Sequence, residues 1–157
     1  MNREHRELTT TMQLGASAAS VFPLLCPVRE YDWIEHWTCE VIHTLSGFAE
    51  LDCVFTTRLP ADSPTDVWVI SRYEPASAIE FIRQNPSRVM RYSIICEADD
   101  GTSSRWRWTQ RITALNDAGD AQLRTMNPAE FTTQMAALET MLNHYLRTGT
   151  MLRRDAN

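Results

Sequence analysis

The sequence predicts an α+β fold. It is a curved antiparallel sheet of about six or seven strands wrapped around one long C-terminal helix, with two short helices after the first strand. Three observations predict it. Residues 105–112 read Arg-Trp-Arg-Trp-Thr-Gln-Arg-Ile, a period-two alternation that puts arginine on one face of a strand and indole on the other. Residues 128–148 form an amphipathic helical pattern with signals for both ends. Between them and the N-terminus lies a series of short β-prone runs separated by turn residues, the pattern of an antiparallel meander.

Each element follows from local chemistry. Residues 8–14 (Leu-Thr-Thr-Thr-Met-Gln-Leu) are threonine-rich and read as the first strand, which Gly15-Ala16 breaks. Ser17 is the N-cap of a short helix running from Ala18 to about Cys26, with Val21, Phe22 and Leu25 on its buried side. Pro23 shortens or kinks it, and Cys26-Pro27 ends it. A second short helical or irregular segment, 29–37, carries Tyr31, Trp33, Ile34 and Trp37. Strands 39–44 and 51–57 flank Ser46-Gly47 as a hairpin; strands 67–73 and 78–84 follow, separated by Glu74-Pro75. Strands 90–96 and 105–112 flank Asp99-Asp100-Gly101, a strong turn signal. A loop then leads to Asn127 as N-cap, Pro128 at the first helical position and Glu130 at the third. Phe131, Met135, Leu138, Leu142 and Tyr145 recur at spacings of four and three as one apolar stripe, and Gly149 closes the helix.

The chain of 157 residues reads as a single domain, 1–157, with a core over about 8–149 and flexible tails at 1–7 and 150–157. The last five residues, Arg153-Arg154-Asp155-Ala156-Asn157, are expected to fray. Apolar residues make up 43% and charged residues 22%, ordinary for a water-soluble chain. A net charge of -5 opposes a nucleic-acid backbone, so no nucleic-acid partner is expected. No apolar run reaches the ~20 residues of a membrane span, and Met1 to Thr11 lacks the apolar core of a signal peptide, so a cytoplasmic protein is expected. Cys26, Cys39, Cys53 and Cys96 form no Cys-x-x-Cys pair and read as free thiols, although Cys39 and Cys53 fall on consecutive strands that bring them close.

The element order resembles the helix-grip fold of the SRPBCC superfamily, which holds the START-related and birch-pollen-allergen (Bet v 1)-like domains and the polyketide cyclase/dehydratase and lipid-transport families. The residues carrying the resemblance are Ser17-Ala18-Ala19-Ser20-Val21-Phe22 after the first strand and the Asp99-Asp100-Gly101 hairpin before an aromatic strand. The third is the run Met135-Ala136-Ala137-Leu138-Glu139-Thr140-Met141-Leu142-Asn143-His144-Tyr145-Leu146. The match covers almost the whole chain but rests on pattern and order, and fold alone does not set function. What the resemblance implies is an apolar cavity between the sheet and the long helix.

The candidate ligand-binding residues follow from that arrangement. Trp106 and Trp108 share the face under the helix, joined by Phe55, Trp68 and Phe81 from neighbouring strands, although plain core packing would give the same pattern. Met135, Leu138, Leu142 and Tyr145 face them from the helix, and Trp33 and Trp37 border the mouth that the resemblance implies. The first functional expectation is a small apolar or aromatic ligand, lipid-like or polyketide-like, held without a cofactor by a monomer or homodimer. The second is a cyclase/dehydratase-type enzyme, with Asp32, Glu35 and His36 as acid–base groups and Tyr31 as a hydrogen-bond donor, unless that segment is a connector with solvated charges. The third is a co-chaperone-like module docking a partner protein through an exposed patch around Trp33 and Trp37.

A metal site is not expected. Cys39 and His43 share a strand face but stand about 13 Å apart at ~3.3 Å per residue, too far for one zinc ion. His144 lies well off the apolar stripe and reads as a rim residue. Arg105, Arg107 and Arg111 read as a solvated outer face paired with acids, and no Gly-x-Ser-x-Gly or His-Glu-x-x-His motif occurs.

Overall fold

The computed structural model describes residues 2–154. Its elements, in chain order, are β1 (His5–Leu14), α1 (Ala18–Val21), β2 (Glu40–His43), β3 (Val54–Thr57), β4 (Asp66–Glu74), β5 (Ala78–Asn85), β6 (Arg88–Asp99), β7 (Ser104–Ala114), α2 (Asp117–Arg124) and α3 (Pro128–Thr148). The seven strands form one antiparallel sheet in the order β1-β7-β6-β5-β4-β3-β2. Register shifts between Val41 and His43, Ile70 and Arg72, and Cys96 and Ala98 interrupt three of the ladders. Such bulges sharpen the local twist and bend the sheet, and α3 lies in the hollow that results. This is the expected helix-grip arrangement.

β7 behaves as its alternation predicts. Trp106 and Trp108 are buried while Arg105 and Arg107 are exposed and both reach Glu97, the latter at 3.0 Å; Arg111 pairs with Glu7. α3 has the bounds its caps encode. Asn127 accepts a hydrogen bond from the Ala129 N–H at 3.0 Å, and Gly149 takes the left-handed conformation at φ 69°. The helix also closes the free edge of β1. Glu139 accepts from the Gln13 N–H, and Asn143 accepts from the Gly15 N–H while donating to the Gln13 carbonyl. Backbone groups that an edge strand would leave open are thereby satisfied.

Several expectations need correction. β1 starts at His5 rather than Leu8, because it pairs with β7 over its whole length. Residues 5–7 are therefore strand, not flexible tail, and Arg3 and the Glu4 N–H are held by Asp120. The first helix stops at Val21 and continues only as a 3-10 turn, Phe22–Leu24, because Pro23 has no N–H to extend it. The second short helix is a single 3-10 turn, Glu30–Asp32. Leu51, Asp52 and Cys53 lie outside β3, and Cys39 outside β2, so the two cysteines are not on consecutive strands; the Glu50 carboxylate organises the loop instead. It accepts from Thr44 Oγ1 and from the Leu45 and Ser46 N–H groups, which hold its pKa down to about 2. At the other end, the Arg154 N–H bonds to Glu35, and the expected fraying of Asp155, Ala156 and Asn157 lies outside the described residues, as does Met1. No helix is long and apolar enough to cross a membrane among the described residues.

α2 was expected to be loop. Asn116 caps it by accepting from the Gly119 N–H at 2.9 Å, and Leu123 is its anchor in the core. Gly119 is required there, since a Cβ would collide with the backbone carbonyl oxygen of Ser87 and crowd Ala114. Gly119→Ala is therefore expected to destabilise the protein by about 2 kcal/mol despite the better helix propensity of alanine. Urea unfolding of the two proteins checks it; an unchanged midpoint would show that the carbonyl yields freely.

Candidate functional site

Five rings from five adjacent strands make a continuous floor on the concave face of the sheet. Phe55 stacks on Trp68 at 5.3 Å between centroids, Trp68 meets Phe81 edge-on at 5.6 Å, Phe81 meets Tyr92 at 6.5 Å, and Tyr92 meets Trp108 at 6.1 Å. These are ordinary distances for attractive aromatic pairs. Above the floor is a cavity of about 260 Å³. Gln134, Met135 and Leu138 of α3 roof it, and Glu30, Trp33, Ile34 and Trp37 wall it. The volume is slightly below the ~300–1,000 Å³ of drug-sized ligand sites, and the lining is mainly apolar.

Of the sequence-predicted ligand-binding residues, Trp33, Trp37, Phe55, Trp68, Phe81, Trp108, Met135 and Leu138 line this space. Trp106, Leu142 and Tyr145 do not. Trp106 is fully buried beyond it, stacked on Phe22 with its Nε1 donating to Ser104 Oγ. Leu142 is fully buried in the packed core beside β1, and Tyr145 approaches the Arg29 guanidinium. The apolar stripe of α3 thus serves the cavity through Met135 and Leu138 and closed packing through Phe131 and Leu142.

The four acid–base candidates do not line the cavity either. The Tyr31 hydroxyl donates to the Cys39 carbonyl and accepts from the Cys39 N–H, at 3.0 and 2.9 Å, which ties the 3-10 turn to the start of β2. Asp32 accepts from Arg29 Nε at 2.8 Å, and Glu35 accepts from the Arg154 N–H. His36 has a side chain 74% exposed and lies 3.9 Å from Glu35. These groups hold a connector in place. The expected patch around Trp33 and Trp37 is also absent from the surface. Trp33 is 1% exposed and donates to the Leu24 carbonyl, and Trp37 is half-buried and donates to the Pro27 carbonyl. The thiols are free; burial raises the pKa of Cys39 and Cys53, the latter to about 11, which makes them poor nucleophiles.

The carboxyl that does reach the cavity is Glu30. Its backbone is fixed by Glu30 N–H to the Cys26 carbonyl and by Ile34 N–H to the Glu30 carbonyl, both 2.8 Å. Among the described residues no hydrogen bond or ion pair reaches its side chain, and burial alone pushes its pKa up to about 8. A sequence signal for it existed. Glu30, Trp33, Ile34 and Trp37 stand at i, i+3, i+4 and i+7, one helical face, and all four line the cavity. Tyr92 and Gln110 were missed as well, although each follows an inward-facing residue at the strand period of two.

Arg83 sits at the rim, its Cζ 4.4 Å from the centre of the Trp68 ring. Its Nε and Nη2 donate to Asp66 at 2.9 and 2.6 Å, and Asn85 and Arg88 bond to the same carboxylate. That clamp fixes the guanidinium plane over the indole. Trp68 Nε1 donates to Thr57 Oγ1 at 2.9 Å, so the ring is held over one face by Arg83 and at its edge by Thr57.

Among solved structures, the chain is similar to several proteins of one shape. It matches DynU16, a protein of the dynemicin biosynthetic locus, at 13% identity and TM-score 0.63 over 95% of this chain and 50% of that one, so it spans half the length of DynU16. It matches Ara h 8.0201 at 11% identity and TM-score 0.61, over 92% of this chain and 99% of that one. It matches a norcoclaurine synthase of Thalictrum flavum, solved with a transition-state analogue, at 8% identity and TM-score 0.64, over 93% and 99%. No protein-family model and no curated protein sequence matches.

Glu30 makes the site pH-sensitive in a defined direction. Its folded pKa lies above its unfolded value near 4.5, so the native state binds the extra proton between about pH 4.5 and 8 and stability falls as pH rises through that window. Each pKa unit is worth ~1.4 kcal/mol, so Glu30→Gln is expected to stabilise the protein at pH 8.5 by on the order of a few kcal/mol and to have little effect at pH 4. Denaturant titrations at the two pH values check this, and equal effects at both would mean that Glu30 ionises normally.

Proposed function

We propose, from the Bet v 1/SRPBCC-type helix-grip fold that this chain has, that it binds a small apolar or aromatic molecule in the cavity between sheet and α3. The observation that carries the reading is a preformed row of five rings lining an unfilled space of about 260 Å³. Apolar burial supplies the affinity, at roughly 25 cal/mol per Å² removed from water. The walls from Trp33 and Trp37 and the roof from Met135 and Leu138 enclose the ligand, so those residues and the floor rings are its contacts. Preorganisation lowers the cost of binding, since Trp68 and Tyr92 are already held by Thr57 and Met135.

A second reading rests on Glu30. A carboxyl with a pKa near 8 in an apolar cavity is suited to general acid–base work, and it replaces Asp32, Glu35 and His36 as the group to test for an enzyme of the cyclase/dehydratase kind.

An environment-sensitive naphthalene dye is expected to bind the native protein one to one and to quench tryptophan fluorescence. Leu138→Trp, which fills the cavity from the roof, is expected to abolish binding while the protein stays folded by circular dichroism. Undiminished binding to that variant would place the dye elsewhere and overturn the reading.

A further inference from the structure

The cavity holds one ionisable group that nothing in the protein matches. Its titratable lining consists of Glu30, Arg83 and Tyr92. Arg83 is paired with Asp66 at 2.6 Å, and burial pushes the Tyr92 pKa up, so its hydroxyl stays neutral. Among the described residues, the side-chain atoms sealed from solvent without a partner are Arg88 Nη1 and Trp108 Nε1. The unpartnered Glu30 oxygens are not among them, so they open onto accessible space. Burial alone raises the pKa of Glu30, so that space is the cavity rather than bulk water.

We propose that the molecule held in this cavity is an organic cation, an alkyl or aryl ammonium whose charge is met by the Glu30 carboxylate and the surrounding aromatic rings. This rests on the binding reading above and gives that site its ligand class. An ammonium removed from water needs a counter-ion and electron-rich neighbours. Trp33 and Trp37 stand three and seven residues after Glu30 in the cavity wall, and five rings make the floor. One floor ring already accepts a cation, since the Arg83 guanidinium carbon lies 4.4 Å from the centre of Trp68. Arg83 does not serve Glu30: no positive charge acts on that carboxyl, whereas Tyr92 feels both Glu30 and Arg83. An anionic ligand would meet Glu30 with no cation between them. A neutral acceptor is served by the protonated acid and a cation by the carboxylate, so the two ligand classes predict opposite pH dependences.

With its pKa raised to about 8, Glu30 is mostly protonated at pH 6, and a permanent cation must displace that proton. The groups that feel its charge, Tyr92 and Cys39, have raised pKa values and stay neutral over this range. The probes are benzyltrimethylammonium and neopentylbenzene, which share a shape and differ in charge. Cation affinity of the wild type is expected to rise by about tenfold or more from pH 6 to 8, while hydrocarbon affinity does not rise. Glu30→Gln is expected to remove that rise and to weaken cation binding at pH 8 by about tenfold or more. Calorimetry of the wild type at pH 6.5, in two buffers of different ionisation enthalpy, is expected to show about one proton released per cation bound. That measurement needs no variant, and zero release overturns the proposal. Cation binding that is flat or falls with pH, or that survives unchanged in Glu30→Gln, also overturns it and leaves the binding reading standing. So does a wild type that binds the naphthalene dye but not the cation. If neither probe nor the dye binds, the binding reading itself fails.

Discussion

The aromatic row across β3, β4, β5, β6 and β7 is the constraint on which the rest of the site depends. A row of Phe55, Trp68, Phe81, Tyr92 and Trp108, each ring against the next, has few ways to rearrange. Aromatic side chains have two torsions, and close packing removes most of that freedom. α3 cannot settle onto such a surface along its whole length. Its C-terminal half is fastened to β1 through Glu139 and Asn143, and further towards its N-terminus Met135 reaches Tyr92 while Gln134 and Leu138 border the open space. The cavity is the space that this unequal docking leaves.

Polar groups around the cavity divide into those that hold the frame and those that face its interior. Tyr31, Asp32, Glu35, Thr57 and Asp66 have all found partners and serve as fasteners. Glu30 has none among the described residues and belongs to the cavity lining. Unmatched polar groups in an apolar space lower stability. The Asp66 cluster is matched except at Arg88 Nη1, which is buried with no hydrogen-bond partner among the described residues. Two guanidiniums and an asparagine share one carboxylate that is almost completely buried, which turns a costly charge into a rigid bracket for Trp68.

Much of the fold was legible residue by residue. The bounds of α3 could be read because Asn127, Pro128 and Gly149 act on their own backbone neighbours. The inward face of β7 could be read because arginine and indole differ so strongly in hydration. α2 could not be read, since glycine and aspartate disfavour a helix interior and only Leu123 anchors it; the reason for Gly119 is the Ser87 carbonyl, thirty-two residues away. The extension of β1 to His5 depends on β7 reaching Thr113, a pairing between segments remote in sequence. The site was half legible. Its apolar members showed through periodicity, whereas Tyr31, Asp32, Glu35 and His36 drew attention by residue type and turned out to face partners other than the cavity.

Local and periodic chemistry in the chain by itself determined the element order, the meander, the capped final helix and which face of each strand is apolar. It does so because caps, turns and alternation act over a few residues and need no distant partner. Tertiary structure alone decided that the tryptophans part company, with Trp106 sealed in the core and Trp108 left over an open space. Both indoles occupy the same face of the same strand. Their difference is that Phe22 stacks on Trp106 while Trp108 borders the cavity, an arrangement set by packing between elements remote in sequence.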